Sequence, residues 1–157
     1  MDIELTYSKG LLRSIGDVEI SYGRREWLDS TPRALGSWPL EYKRLSTSLL
    51  AVGGVEITYR TWSTQPRTVG QWNCECSRFG ARLLRVGPYE LRHDTGGSRV
   101  RGIGPLEVFY DRLGSRPIRV RLHDGSERLS EDHVLVLFLV LFWQEQAGEA
   151  SRRRARS

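Results

Sequence analysis

Over roughly the first 123 residues, apolar and polar side chains alternate with a period of two. In DVEISYG, Val18, Ile20 and Tyr22 fall on one face and Asp17, Glu19 and Ser21 on the other. GVEITYRTW sets Val55, Ile57 and Tyr59 opposite Glu56, Thr58 and Arg60. A half-buried strand requires this alternation, because successive side chains point to opposite faces. ARLLRV, YELRH, SRVRGIG, PLEVFYD and RPIRVRLH continue it, with branched and aromatic residues at most apolar positions. Gly, Pro, Asp or Ser bounds each run, and GPYE, DTGG, RLGSRP and HDGSE supply the residues that tight turns need. The pattern predicts about ten to twelve short strands at hairpin spacing. No helix-length amphipathic pattern separates them, which argues for a meandering antiparallel sheet or barrel and against a parallel βαβ sheet. Neither an internal repeat nor a linker is apparent, so residues 1–148 read as one domain.

The alternation stops at SEDHVLVLFLVLFWQEQ, where ten consecutive residues from Val134 to Trp143 carry no polar side chain except the indole. The run is too short for a transmembrane helix, which needs about 20 apolar residues. Ser130 fits a helix N-cap, and Glu131 and Asp132 fit the first turn, where the dipole favours negative charge. Leu129 precedes the cap as a hydrophobic staple, and Gly148 stands where a C-terminal cap would go. A helix over about 131–147 follows. Being apolar on every side, it must be enclosed on every side. A barrel of about eight strands is filled by its own side chains, whereas a larger one has room for a central element. The expected architecture is a mainly β fold: a closed antiparallel barrel of about 10–12 short strands around a hydrophobic C-terminal helix.

Composition adds limits. With 39% hydrophobic and 27% charged residues the chain resembles an ordinary soluble domain. Of the 24 basic residues, four lie in the terminal stretch ASRRRARS, and the remainder nearly balances the 19 acidic ones. The basic character therefore belongs to a tail, residues 149–157, expected to be disordered and able to touch phosphates or acidic lipid. The N-terminus shows no signal-peptide pattern. Two cysteines make no disulfide framework of the secreted kind, so a cytoplasmic setting, peripheral at a membrane, is expected.

The order of elements resembles the tubby C-terminal fold. Many short strands are followed by RPIRVRLHDGSERLSEDHVLVLFLVLFWQEQ, which reads as strand, turn and all-apolar terminal helix. That superfamily includes the tubby-like proteins, the phospholipid scramblases and the plant LURP-one-related proteins, and builds twelve strands around a hydrophobic C-terminal helix. The resemblance implies a barrel over about residues 2–147 and suggests lipid-surface binding. No phosphoinositide-binding motif matches residue by residue. The cysteine-rich and calcium-binding segments of the scramblases have no counterpart in this sequence.

Candidate chemistry is sparse. Cys74 and Cys76 share a face if their segment is a strand, but His93, His123 and His133 are dispersed, with no zinc-ligand spacing. No nucleophile elbow, P-loop or dinucleotide fingerprint occurs, so neither catalytic residues, a metal nor a cofactor is expected. His133 reads as a capping or surface residue. The tryptophans Trp27, Trp38, Trp62, Trp72 and Trp143 read as core and rim packing, with Trp143 in the barrel end, and nucleic-acid binding is not favoured. The leading site is a set of arginines on alternating strand positions: Arg99 and Arg101 on one strand, Arg119 and Arg121 on another. Facing outward, and brought together by neighbouring strands, they would form an anion-binding patch. Arg152, Arg153 and Arg154 of the tail would extend it. A non-enzymatic module that meets an anionic lipid or a protein partner through its wall and tail is the functional expectation. The alternatives are a structural subunit of a larger assembly and, third, a small hydrolase.

Overall fold

The computed structural model describes the chain except for residues 24–30, 45, 62, 78–81, 96–98, 115 and 157 and the side chain of Arg153. The placements expected for Trp27 and Trp62, and for the glycines of DTGG, lie outside the described residues. Seven strands make up the first half: β1 (Asp2–Ser8), β2 (Leu11–Ile15), β3 (Val18–Tyr22), β4 (Pro32–Leu35), β5 (Trp38–Tyr42), β6 (Leu49–Val52) and β7 (Val55–Tyr59). The second half adds β8 (Pro66–Val69), β9 (Trp72–Cys76), β10 (Leu83–Val86), β11 (Tyr89–His93), β12 (Val100–Ile103), β13 (Leu106–Tyr110) and β14 (Pro117–Leu122), followed by α1 (Glu131–Arg156). Each strand pairs antiparallel with its chain neighbours, and β14 returns to β1, giving a closed fourteen-stranded barrel. The strands outnumber the ten to twelve expected because segments such as PRAL, LLAV and PRTV hold only four residues each. Four residues are too few to display a period on their own.

A repeat underlies the barrel, contrary to the reading of the sequence as non-repetitive. Gly36, Gly53, Gly70, Gly87 and Gly104 recur every 17 residues, each with φ between 53° and 60°. The N–H groups of the last four donate to Pro39, Glu56, Asn73 and Glu90 carbonyls at 2.7–2.9 Å, tying each tight turn to the strand that precedes its hairpin. Positive φ selects glycine here, and so does space: a Cβ on Gly87 would sit 2.5 Å from the Trp72 ring. At the opposite end, Lys43, Arg60, Ser77, Asp94 and Asp111 donate from their N–H groups to Ser48, Gln65, Arg82, Arg99 and Arg116. These bonds clamp the longer connections with the same period. The barrel thus has a glycine end and a loop end. Its seam is a hairpin without a turn, in which the Leu122 N–H donates to the Met1 carbonyl at 2.8 Å.

Along β3, β5, β7, β9 and β11 the first, third and fifth residues turn inward and the second and fourth stay exposed. The middle position holds Ile20, Leu40, Ile57, Cys74 and Leu91, all buried. The fifth position forms a ring near the loop end. The hydroxyls of Tyr7, Tyr22, Tyr42, Tyr59 and Tyr110 donate to the Pro117, Leu12, Pro32, Leu49 and Val100 carbonyls at 2.5–2.8 Å. Cys76 and His93 occupy the two remaining places of the ring. Outside, Glu19, Glu41, Glu56, Glu75 and Glu90 keep the wall charged. A barrel that spans a lipid bilayer is apolar outside and polar within, so the wall is built for water.

The helix fills the lumen. Val134 to Leu141 are each no more than 6% exposed and pack against inward residues of the strands. Eight residues rise about 12 Å, close to the height of strands four to seven residues long. The Ser130 hydroxyl accepts the His133 N–H at 3.1 Å, while His133 Nδ1 accepts the Ser130 N–H at 3.4 Å. This is a reciprocal capping box with histidine in the place usually taken by Glu or Gln. His133 therefore caps, as expected, but it is buried and stacks edge-on against Tyr89 at 5.8 Å. Leu129, the expected staple, and Trp143 both pack against the core.

The helix does not stop at about residue 147. It runs through Gly148 to Arg156, so the segment expected as a disordered tail continues α1. Gly148 keeps a negative φ, and Ala147, Glu149 and Ala150 are good helix formers around it. Arginines in the last turns also suit the negative end of the helix dipole. No helix among the described residues is long and apolar enough to cross a membrane.

Candidate anion-binding face

Barrel topology separates the charges by end. Strand β14 finishes at the glycine end, so the connection to α1 and the first turn of the helix lie there. The acidic groups at that end are Asp2, Asp17, Asp124, Glu127, Glu131 and Asp132, against Arg128, the N-terminus, Arg121 on Asp2 and Arg92 on the Gly104 carbonyl. An open cleft of about 550 Å³ lies beside them, lined by Glu56, Gln71, Trp72 and Asp132 over Leu135.

The loop end is basic. Lys9, Lys43, Arg44, Arg60, Arg82 and Arg112 are exposed on or beside its connections. From its centre emerges the continuation of α1, with Arg152, Arg154 and Arg156 exposed and Glu145 and Glu149 among them. Two glutamines fix the point of exit. Gln144 accepts the Val100 N–H at 2.8 Å and donates to the Tyr110 hydroxyl at 3.0 Å, and Gln146 donates to the Thr47 carbonyl at 2.9 Å. Past these anchors about ten residues project, roughly 15 Å of helix. Arg152 reaches Glu145 at 3.2 Å, and the Arg154 Nε–H donates to the Ala150 carbonyl at 3.4 Å. Both contacts are exposed, so they restrain these side chains weakly.

The four wall arginines take a different arrangement from the single patch expected. Arg99 and Arg101 both pair with Asp94, whose side chain is only 12% exposed. Arg99 also donates to the Gly114 carbonyl at 2.6 Å and lies 4.9 Å over the Tyr110 ring. On β14, Arg121 makes a two-pronged pair with Asp2 at 2.7 and 3.2 Å. Arg119 approaches the same carboxylate at 3.9 Å and stacks on Phe109 at 4.7 Å. The two pairs are separated by β13, which places Glu107 opposite Arg121, and they sit at different heights on the wall. Each pair shares one carboxylate, which offsets one of its two charges. Arg121, with Arg119 and the N-terminus, holds the Asp2 carboxyl below its ordinary value, which marks it as an ionised partner.

The cysteines are placed as the strand reading implies. Cys74 and Cys76 both turn inward on β9 and are free thiols. Burial, helped by Cys76, pushes the Cys74 thiol up to about 12, and burial raises Cys76 as well. Both are protonated at neutral pH and unsuited to nucleophilic work. Among the described residues no three His, Cys, Asp or Glu side chains are grouped to hold a metal ion. The basic loop end escaped the sequence reading because its residues are scattered along the chain. They converge only once the period of 17 residues is recognised, since that period returns every second connection to the same end. Comparison with known proteins finds no matching family model, curated protein or solved structure.

Proposed function

We propose that the protein is a non-enzymatic binding module whose loop end meets a phosphate-bearing anionic surface, that of a membrane lipid in the first place. The observation that carries this reading is an uneven sorting of charge: at the loop end the basic connections and the arginines of the projecting helix outnumber Asp94, Asp111, Glu145 and Glu149, and at the other end acidic groups outnumber basic ones. A molecule charged in this way orients in the field of an anionic surface, basic end inward. Each Lys or Arg brought near such a surface adds about 1 kcal/mol at physiological salt. The filled lumen leaves the outer surface, not an internal cavity, as the place of recognition. The tubby-like plan of a closed barrel around a hydrophobic terminal helix supports the lipid reading by analogy of architecture, and membership of that superfamily is part of the proposal. Fourteen strands, against twelve in that fold, are the departure from it.

The test is co-sedimentation with vesicles containing phosphatidylserine or phosphoinositide, at low and high salt. Replacing Arg152, Arg154 and Arg156 together by alanine is expected to weaken binding by about two orders of magnitude, at about 1 kcal/mol for each charge. Arg119→Ala/Arg121→Ala is expected to bind nearly like the parent, because that pair shares Asp2 and lies on the wall of β14, which finishes at the end remote from the surface. Loss with the wall variant alone would move the site back to the wall. No binding by the parent at any salt would remove the lipid reading and favour a subunit of a protein assembly.

A further inference from the structure

The connections at the loop end carry a second pattern, independent of charge. Each of the five connections clamped by a backbone pair spans six residues: KRLSTS, RTWSTQ, SRFGAR, DTGGSR and DRLGSR. In third place stand Leu45, Trp62, Phe79, Gly96 and Leu113, so four of the five carry a large apolar residue there. Of these five, only Leu113 is among the described residues, and it is 90% exposed. The other large exposed aliphatics, Leu50, Leu84 and Ile118, are far less bare, at 37–41%, and lie on the strands of the wall. An isolated exposed leucine needs no explanation. A leucine exposed to this degree, at a position that sister connections fill with Leu, Trp and Phe, does.

Arginine or lysine lies beside this position in the same connections: Lys43 and Arg44 before Leu45, Arg60 before Trp62, and Arg112 before Leu113. An exposed leucine set among basic residues, such as Leu113 beside Arg112, matches the boundary of an anionic bilayer, where headgroups attract the cations and the acyl region accepts the apolar side chain. A soluble phosphate or an acidic peptide offers nothing to the leucine. We infer that the loop end docks on a bilayer with Leu113 inserted below the headgroups. This rests on the anionic-surface reading and deepens it, because it names the partner as a membrane and Leu113 as the wedge. The barrel then stands with its axis along the membrane normal and its acidic glycine end in water.

The test places an environment-sensitive nitrobenzoxadiazole label at Leu113→Cys in the full-length protein, with Leu50→Cys on the wall as the comparison. Both are mixed with phosphatidylserine vesicles with and without brominated acyl chains. The expected result is a blue shift, and quenching by the brominated chains, at position 113 and neither at position 50. A further expectation is a salt-resistant fraction of bound protein that falls about tenfold or more in unlabelled Leu113→Asp, since burying one leucine side chain changes partitioning by at least that factor. Salt-sensitive binding with no change at position 113 would overturn insertion and leave the anionic-surface reading standing. Equal quenching at both positions would overturn the upright orientation. Absence of binding at every salt concentration would remove the surface reading and the insertion together.

Discussion

Truncating Leu137 to alanine tests whether α1 is enclosed by a closed wall. Leu137 is fully buried, with neighbours on the helix that are buried on every side. The substitution removes the equivalent of three methylene groups, about 2.4 kcal/mol at roughly 0.8 kcal/mol each. The remainder of the cost depends on whether the surroundings collapse into the space, and measured Leu→Ala costs span about 2.7–5 kcal/mol for this reason. A ring of fourteen hydrogen-bonded strands cannot contract without breaking register, so the cavity persists and the cost falls near the top of that range, about 4–5 kcal/mol. With a urea slope of about 2 kcal/mol/M, the midpoint drops by about 2 M or somewhat more. Leu50→Ala, on the outer wall and 41% exposed, is the control and is expected within about 0.5 kcal/mol of the parent. Urea titration followed by tryptophan fluorescence and by circular dichroism gives both numbers. A Leu137→Ala cost under about 2 kcal/mol, with an unchanged slope, would refute the enclosure of the helix by a rigid wall.

Other outcomes follow from local geometry. Gly87→Ala is expected to destabilise more than Gly54→Ala, as read by thermal melts. Both glycines have positive φ, which costs an alanine about 1–2 kcal/mol, but only at Gly87 would the new Cβ also collide with Trp72. Asp94→Asn leaves Arg99 and Arg101 without their shared carboxylate and is expected to cost about 1–2 kcal/mol in denaturant titration, the value for charged hydrogen bonds reduced for their exposure. Burial first, and the charge of Arg82 second, hold the His93 imidazole below its ordinary value. Its contribution to stability is complete above the unfolded-state value near about 6.5 and is lost as the pH falls through the folded one. A melting-temperature series from pH 7 downward is therefore expected to fall less steeply in His93→Gln. At pH 8, mass-spectrometric alkylation is expected to modify Cys76 before Cys74 in the native protein, and both quickly in urea.

What the sequence disclosed depended on how far each signal extends along the chain. The five-residue strands VEISY and VEITY display their alternation without help, and the unbroken run from Val134 to Trp143 compels an enclosing wall. The 17-residue period was harder to see because each position keeps its burial and changes its residue. The inward middle place is Ile, Leu, Cys or Val, and the ring place is Tyr, Cys or His. The glycines from Gly36 to Gly104 are the invariant mark, and the turn signals picked out from the sequence include only Gly87 among them, in GPYE. Gly148 misled in the opposite way: its capping role requires a backbone turn to positive φ, and good helix formers on both sides outweigh that tendency. The pairing of the wall arginines was out of reach, since Asp2 lies more than one hundred residues from Arg121 in the chain.

A hairpin that pairs identically with either neighbour has no reason of its own to stop at a particular number of copies. Open stacks of such units gain and lose members with little penalty, because each touches only the next. Here the stack is rolled around a rod, and the girth of the rod becomes a gauge. An eighth hairpin would leave unfilled volume around Val136, Leu137 and Leu139, and removing one would crowd Phe138 against the wall. Any change in the number of units must therefore be matched by a change in the side chains of α1, so the terminal helix keeps the tally for the whole ring.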